Sequence, residues 1–466
     1  MTDYILVIDE GTSSTRAIVY DRAFHPVALA QEEIALAYPA NGWVEQDGEE
    51  IWAKTLAVCQ SVIAEIGGAQ RIGAIGITNQ RETTLLWERE TGHLLSPAIV
   101  WQDRRTSALC EQLRTEGQEA LVSAETGLLL DPYFSGTKLA WLLDQNDGVR
   151  QRAESGELCF GTIDSFLIWR LTGGKSHATD VTNASRTLLY KLELGEEAGW
   201  SQSMLDLLDI PRAVLPDVRP SAADYGRTEK ALFGREIPIF SAIGDQQGAL
   251  FGQACLEEGE GKITYGTGAF LVANTGQTRP VSNQRLLGTI GYQTEAVSAY
   301  ALEGAIFNAG TVIKWLRDDM GFIQNAAESE SLAAQLPDNG GVYFVPAFTG
   351  LGAPHWQAEA RGTITGLTRA IQAAHIVRAG LEACAYQTAD LLSAFRGDGV
   401  AVSLLRVDGG MSANDWLMQF TADICGISLE RPDYMEMTAL GAAGLAGLKL
   451  GWIDLKAWKS RARNVT

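Results

Sequence analysis

Two short stretches half a chain apart carry the same pattern. VIDEGTSSTRAIVYD (residues 7–21) sets two apolar runs around a polar turn with Gly11, Thr12, Ser13 and Ser14. ITYGTGAFLVAN (residues 263–274) again leads a short apolar run into Gly266-Thr267-Gly268 and out into another. Apolar runs flanking such a turn predict hairpins. Glycine lets the backbone approach a bulky anion without a Cβ in the way. Turn N–H groups and hydroxyls can then bond phosphate oxygens. The first turn adds an acid, Asp9, that could hold a metal ion directly or through water, and a cation, Arg16. Neither turn has the GxxxxGK[ST] pattern, and the first alone reads equally well as a solvated hairpin. The repetition is what constrains the chain. It predicts a duplicated α/β domain with two phosphate loops facing each other.

The length, 466 residues, predicts two domains of roughly 200 residues each. A hydrophobic fraction of 46% is that of a globular protein. The net charge of -20 argues against a general nucleic-acid binder, which needs a Lys/Arg surplus, but not against a phosphate ligand met by local donors. No signal peptide is apparent after Met1, and the longest apolar stretch, residues 439–450, is short and Gly/Ala-rich, so it reads as a buried helix rather than a membrane insertion. Six scattered cysteines without a CxxC pair predict buried thiols in a cytoplasmic protein. Five histidines form no HxH or HExxH pair, which argues against zinc.

Along the first half, residues 45–66 show helical spacing, with Asp47 or its acidic neighbours as the start. Residues 72–78 read as a buried strand running into Asn79-Gln80-Arg81-Glu82-Thr83-Thr84, and Leu85-Leu86-Trp87 as the next strand. The Arg81-Glu82 pair is either an exposed hairpin turn or a polyol site, where Arg81 donates from its fork and Glu82 accepts hydroxyl protons. Residues 99–105 read as a strand ending in polar groups, with Trp101 either core or the apolar wall of a small polar ligand. Asp131-Pro132 marks a turn, Tyr133 offers a hydroxyl there, and Lys138 looks like a helix start. Residues 161–171 predict a turn and a buried helix. DVTNASRT (residues 180–187) reads as a polar turn segment that chemistry alone gives no role.

An apolar strand then ends in Gly244, and Asp245 follows before a helix that opens with Gln246 and Gln247. An acid at that place in an α/β fold is a usual catalytic group and equally a common helix cap. In the second half, residues 300–316 look helical, 341–348 extended and 373–394 helical. A strand at 404–407 meets Asp408-Gly409-Gly410, a third loop through which a flat ligand or phosphate can come close to a helix start.

Together these motifs resemble the FGGY carbohydrate kinases of the actin/hexokinase-like superfamily. The resemblance rests on DEGTSSTRA (9–17), GITNQRETT (76–84), VWQDRRT (100–106), DPYFSGTKLAWLL (131–143), TNASRT (182–187) and GDQQGALFGQ (244–253). It continues with YGTG (265–268), ALEGAIF (301–307), PAFTGLGAPHW (346–356) and RVDGGMSANDWLMQF (406–420), in family order over nearly the whole chain. NQRETT points to the members that phosphorylate glycerol, the first step of glycerol catabolism. The resemblance implies two actin/hexokinase-like (ribonuclease H-like) ATPase domains with a cleft between them, residues 1–250 and 251–466. It implies transfer of the γ-phosphoryl group of MgATP to a terminal hydroxyl of glycerol, with Asp245 as general base. Arg81, Glu82, Tyr133, Asp245 and Gln246 would meet glycerol, Trp101 and Phe270 would pack its carbons, and Asp9 and Asp245 would position Mg²⁺. Thr12, Ser13, Ser14 and Arg16, with Gly266 and Thr267, would hold the phosphates. Gly310, Lys314, Gly410 and Asn414 would line the nucleoside. A cytoplasmic homo-oligomer, dimer or tetramer, is expected.

Four departures from the family pattern carry expectations. Glu10 stands where Gln is usual and would repel ATP phosphates unless it points away or binds a cation. Lys314 stands where relatives carry Gln. The chain ends at Thr466 without the usual helical extension, so weaker stability or subunit contact is expected. TEKALFGRE (228–236) lacks the Gly-Gly-x-Arg loop of enzymes inhibited by fructose 1,6-bisphosphate, so weak or absent inhibition is expected. The rival readings are a kinase for another small polyol and a catalytically weak glycerol- or nucleotide-binding regulator.

Overall fold

The computed structural model describes residues 2–145, 147–357, 359–432 and 436–462. Two compact units emerge: one comprises 1–254, 289–300 and 436–462, the other 255–288, 301–435 and 463–466. The carboxy-terminal residue Thr466 lies outside the described residues.

The first unit is built on five strands in the order Ile239–Gly244, Ile72–Asn79, Tyr4–Glu10, Ser14–Tyr20, Pro26–Glu33. The first three run parallel, and the last two are added antiparallel as the predicted hairpin and its extension. Continuous apolar runs such as Ile5-Leu6-Val7-Ile8 are buried throughout, as expected of strands covered on both faces. Register aligns Glu10 with Asn79 and Asn79 with Gly244, so three parallel strands end together. The polar segments after those ends are therefore neighbours, at the edge where parallel sheets bind ligands.

Helix Gly48–Glu65 starts as the sequence predicts: the Asp47 carboxylate accepts from Glu49 N at 2.8 Å and Glu50 N at 3.4 Å. The small-residue helix Met437–Lys449 packs onto Asp245–Gly252 at backbone contact. A Cβ on Gly441 would meet the Gly248 carbonyl at 2.0 Å, and one on Gly252 the Met437 carbonyl at 2.0 Å. Trp458 of the helix Leu455–Ala462 closes that layer, stacked on Phe251 with ring centres 5.7 Å apart. No helix among the described residues is long and apolar enough to cross a membrane.

The second unit repeats the arrangement. Within it the strands Ala269–Gly276, Glu260–Tyr265, Leu404–Asp408 and Ser428–Glu430 lie side by side in that order. Glu260–Tyr265 pairs antiparallel with its hairpin partner and parallel with Leu404–Asp408, as Tyr4–Glu10 does with its own neighbours. Thr264 stands beside Asp408, so here too a hairpin turn and a strand-end loop emerge side by side.

Several local expectations are corrected. Residues 300–306 belong to the strand Ser298–Ile306, and the helix begins only at Gly310. The alternation of Ala299 and Ala301 with Tyr300 and Leu302 is the period-two pattern of a strand, and that pattern prevails here. The helix expected from Lys138 starts at Ser135. The strand around residue 99 is just Ala98–Ile99, and the one around 344 just Tyr343–Val345. DVTNASRT is not an open turn: Asp180 caps a short helix, Val181–Ala184, and the segment is buried.

Candidate active site

Arg81 and Glu82 do not form an exposed hairpin turn. The flanking strands belong to different sheets, because Leu85–Glu88 pairs with Leu158–Gly161. Both side chains are buried, at 3% and 1% exposure. Glu82 has φ 61, a left-handed backbone that an ordinary residue adopts at a cost of roughly 1–3 kcal/mol. Its carbonyl is held by Ser135 Oγ and Thr84 Oγ1, both at 3.0 Å. Its carboxylate takes the Nε–H of Arg186 at 2.7 Å and lies 3.9 Å from Arg81 Nε.

Arg81 reaches the next strand end. Its Nε is 3.1 Å from Asp245 Oδ1, and its Nη1 donates to Gln247 Oε1 at 3.2 Å. Asp245 is the first residue of the helix Asp245–Gly252, and its side chain is 31% exposed. It remains open to a ligand while its partner is fixed. Gln246 follows, buried, with its Nε2 3.2 Å from Asp245 Oδ2.

Trp101 and Tyr133 form a wall nearby, edge to face at 5.7 Å and 69°. Trp101 Nε1 donates to Thr12 Oγ1 at 2.9 Å, which ties this wall to the first glycine turn. That turn is closed by Gly11 N on the Ser14 carbonyl at 3.0 Å and braced by Gln46 Nε2 on the Thr12 carbonyl at 2.7 Å. Ser13 is exposed at its tip and Ser14 is buried. Thus Thr12, Trp101, Tyr133, Arg81, Glu82 and Asp245 come together in one unit.

Asp9 is buried beside these groups. Burial pushes its carboxyl up to about 7, with Arg16 acting against that and Glu436 and Asp245 adding to it. Arg16 Nη1 is 4.0 Å from Asp9 and also pairs with Glu436. Carboxylates that raise one another's proton affinity suit a dication. No cluster of three or more candidate metal ligands occurs among the described residues. That donor set fits Mg²⁺, which keeps several waters and takes one or two carboxylates plus phosphate oxygens.

Glu10 points away from the turn. Its side chain is fully buried, accepts from Thr55 Oγ1 at 3.1 Å, and is pushed up to about 8 by burial, against hydrogen bonds from Thr15 and Thr55. Burial favours its neutral form, which lessens any repulsion of a phosphate.

In the second unit Gly266 and Thr267 are exposed on their turn, closed by Gly266 N on the Gly268 carbonyl at 2.8 Å. The Thr267 carbonyl receives Ala309 N at 3.0 Å and both the N–H and hydroxyl of Thr311, at 3.1 and 2.8 Å. The turn therefore sits on the start of the helix Gly310–Asp318, which also carries the exposed Lys314. Gly409, with φ 85, packs on the Tyr265 carbonyl, where a Cβ would come within 2.4 Å. Gly410 is open on its outer side. Asn414 is engaged as a cap, accepting from Leu417 N at 2.8 Å. Phe270 lies half-buried on the strand Ala269–Gly276.

Three participants escaped sequence reasoning. Arg186 and Thr182, whose hydroxyl accepts from Gly244 N at 2.9 Å, come from DVTNASRT. Asn183 pairs its amide reciprocally with Asn79 at 3.0 Å. The available signal was the run of polar residues itself, too long to be left unsatisfied in a buried place.

Residues 4–252 match the N-terminal domain of the FGGY family of carbohydrate kinases, and residues 261–450 match its C-terminal domain. Glycerol kinase of Rhodospirillum centenum is 58% identical over 449 residues, 96% of this chain and 89% of that protein. Glycerol kinase 1 of Pseudomonas aeruginosa is 55% identical over 453 residues, 97% and 91% of the two chains. Among solved structures, Plasmodium falciparum glycerol kinase with ADP superimposes with a TM-score of 0.93 at 37% identity, covering 100% of this chain and 93% of that one. A xylulose kinase from Lactobacillus acidophilus shares the fold at a TM-score of 0.88 and 23% identity, covering 99% and 92%.

Proposed function

The chain belongs to the FGGY family of carbohydrate kinases, and on that premise we propose that it phosphorylates glycerol with ATP, giving sn-glycerol 3-phosphate. The observation that carries this reading is the buried Arg81-Glu82 pair joined to the accessible Asp245 at 3.1 Å. A site built from fixed donors and acceptors recognises hydroxyls and rejects ligands that leave them unpaired, by roughly 10⁴-fold.

Asp245 accepts the proton of the attacking terminal hydroxyl. In a loose phosphoryl-transfer transition state that proton leaves late, so a carboxylate near the hydroxyl suffices. Arg81 holds Asp245 in place and donates to a substrate hydroxyl, while Glu82 accepts from one. Tyr133 and Gln246 complete the polar contacts, and Trp101 and Phe270 pack the carbons. Thr12, Ser13, Ser14 and Arg16 serve the phosphates from the first turn, Gly266 and Thr267 from the second. Gly310, Lys314, Gly410 and Asn414 serve the nucleoside, so residues 1–250 supply the polyol contacts other than Phe270 and residues 251–466 the nucleoside contacts. Asp9 and Asp245 would hold Mg²⁺, which would supply neutralisation of the phosphate charge. All six cysteines are buried free thiols, which supports a reducing, cytoplasmic compartment.

The test is ADP release from MgATP with glycerol, erythritol, xylulose or no acceptor, in the natural protein and in Asp245→Asn. Glycerol-dependent turnover lost in the variant is expected. Turnover with another acceptor and not with glycerol overturns the substrate, and glycerol binding without turnover overturns the enzymatic reading.

A further inference from the structure

Lys138 has no exposed surface. It sits in the first turn of the helix Ser135–Asp144, where the surrounding residues Leu139, Ala140, Leu142 and Leu143 are core. Its ammonium is used up by main-chain carbonyls: Tyr133 at 2.5 Å, Phe134 at 3.4 Å and Glu82 at 3.4 Å. An ammonium has three N–H donors and no acceptor. Three carbonyls around one nitrogen match it in number, whereas a neutral amine would turn a lone pair toward one of them. The molecule keeps this cation despite burial, which pulls its proton affinity down to about 8. Glu82, Asp103 and Asp131 oppose that loss, and Arg104 adds to it.

The carbonyls it gathers belong to two segments distant in sequence. One carries Arg81 and Glu82, with the left-handed backbone at Glu82. The other carries Tyr133, whose ring forms the wall with Trp101. Nothing else about a buried lysine requires it to join those two. The neighbouring Ser135 makes the same kind of link, from its hydroxyl to the Glu82 carbonyl at 3.0 Å.

We propose that Lys138 is a positioning residue for the polyol site, fixing the distance between the Glu82 carboxylate and the Tyr133 wall and so limiting the length of polyol accepted. The proposal rests on the reading of Glu82 and Tyr133 as polyol contacts. Lys138 touches no substrate itself. It acts through the backbone of the residues that do.

The test is steady-state kinetics on Lys138→Met, Lys138→Arg, Ser135→Ala and Glu82→Gln, varying glycerol, erythritol and ATP separately. For Lys138→Met the KM for glycerol should rise roughly 10-fold or more, as expected when a few tenths of an ångström of preorganisation are lost. The KM for ATP should stay within about 2-fold, and the preference for glycerol over erythritol should fall. A general loss of structure would move both KM values together, and that result overturns the proposal. Should Lys138→Met fail to fold, Lys138→Arg decides. Arg keeps the charge but spreads its donors over a plane, so a partial rise in the glycerol KM alone supports the clamp, and an unchanged glycerol KM overturns it. Ser135→Ala should show the same selective rise on a smaller scale. Glu82→Gln separates the two layers. If it leaves the glycerol KM unchanged, the polyol site is misassigned. If it raises that KM while Lys138→Met does not, the site stands and the positioning role falls.

Discussion

Arg186 Nε donates to Glu82 Oε1 at 2.7 Å, and neither side chain has appreciable exposure. The Arg186 guanidinium also lies over the rings of Tyr133 and Phe134, 5.5 and 5.2 Å from their centres. A cation from one buried segment thus fixes the carboxylate of a second and the aromatic wall of a third. Removing one member of a buried ion pair strands the other, at a cost of roughly 3–5 kcal/mol. Arg186→Met should therefore lose about that much unfolding free energy in a denaturant titration and bind glycerol poorly. Changing both partners, Glu82→Leu with Arg186→Met, should recover much of the stability and none of the glycerol turnover. Equal stability of the single and double variants would contradict the pairing.

Asp245→Asn keeps the size of the side chain and removes its capacity to take a proton. The expected loss in kcat is roughly 10²–10⁴-fold, with the glycerol KM changed by no more than about 5-fold, because Arg81 and Glu82 remain. A coupled ADP-release assay separates the two quantities. A variant that keeps wild-type kcat would remove Asp245 from the chemistry.

Much of this site was legible because each segment is a polar insertion in an apolar run. Gly-Thr turns, Arg81-Glu82 and Asp245 all interrupt stretches that otherwise read as strands, so their chemistry stands out. Their neighbourhood was not legible. It comes from parallel register, Glu10 beside Asn79 beside Gly244, and parallel pairing joins residues far apart in sequence with no local signature. Arg186 was missed for the same reason. Its partner is 104 residues away, and a polar octapeptide reads as solvent-exposed until the fold buries it. Lys138 reads as a helix start and lies in the first turn of a helix that begins at Ser135, but its burial has no local signature, since a lysine is usually at the surface.

The Lys138 ammonium gives a pH dependence with opposite signs for stability and activity. Folded, it loses its proton near 8, against 10.5 in the unfolded chain. Between those values the unfolded chain binds more protons, so this group makes stability increase with pH. Over the same range the clamp loses a donor, so kcat/KM for glycerol should fall as pH rises through about 8. Lys138→Arg should not show that fall. A profile for the arginine variant identical to that of the natural protein would assign the alkaline limb to another group.

Glu10 is expected to tolerate conversion to its amide. It is buried, bonded to Thr55 at 3.1 Å, and its proton affinity is pushed up to about 8 by burial. Glu10→Gln preserves shape and acceptor, so stability should change by less than about 1 kcal/mol and the KM for ATP by less than about 2-fold. A large gain or loss of ATP affinity would mean that the carboxyl does reach the nucleotide.

The glycines of the second turn separate structural from ligand-contact roles. A Cβ at Gly268 would lie 2.4 Å from the Ile306 carbonyl and 3.1 Å from that of Phe307, both main-chain atoms that cannot swing aside. Gly268→Ala must therefore displace the turn from the strand Ser298–Ile306, lowering the thermal midpoint and raising the KM for ATP together. A Cβ at Gly410 meets nothing within 4 Å, so Gly410→Ala should fold with an unchanged midpoint. If the nucleoside packs on that open backbone, the added methyl raises the KM for ATP severalfold while the glycerol KM stays put. Thermal melts and nucleotide titrations on the two variants distinguish these cases, and an unaltered ATP KM in Gly410→Ala would move the nucleoside away from the third loop.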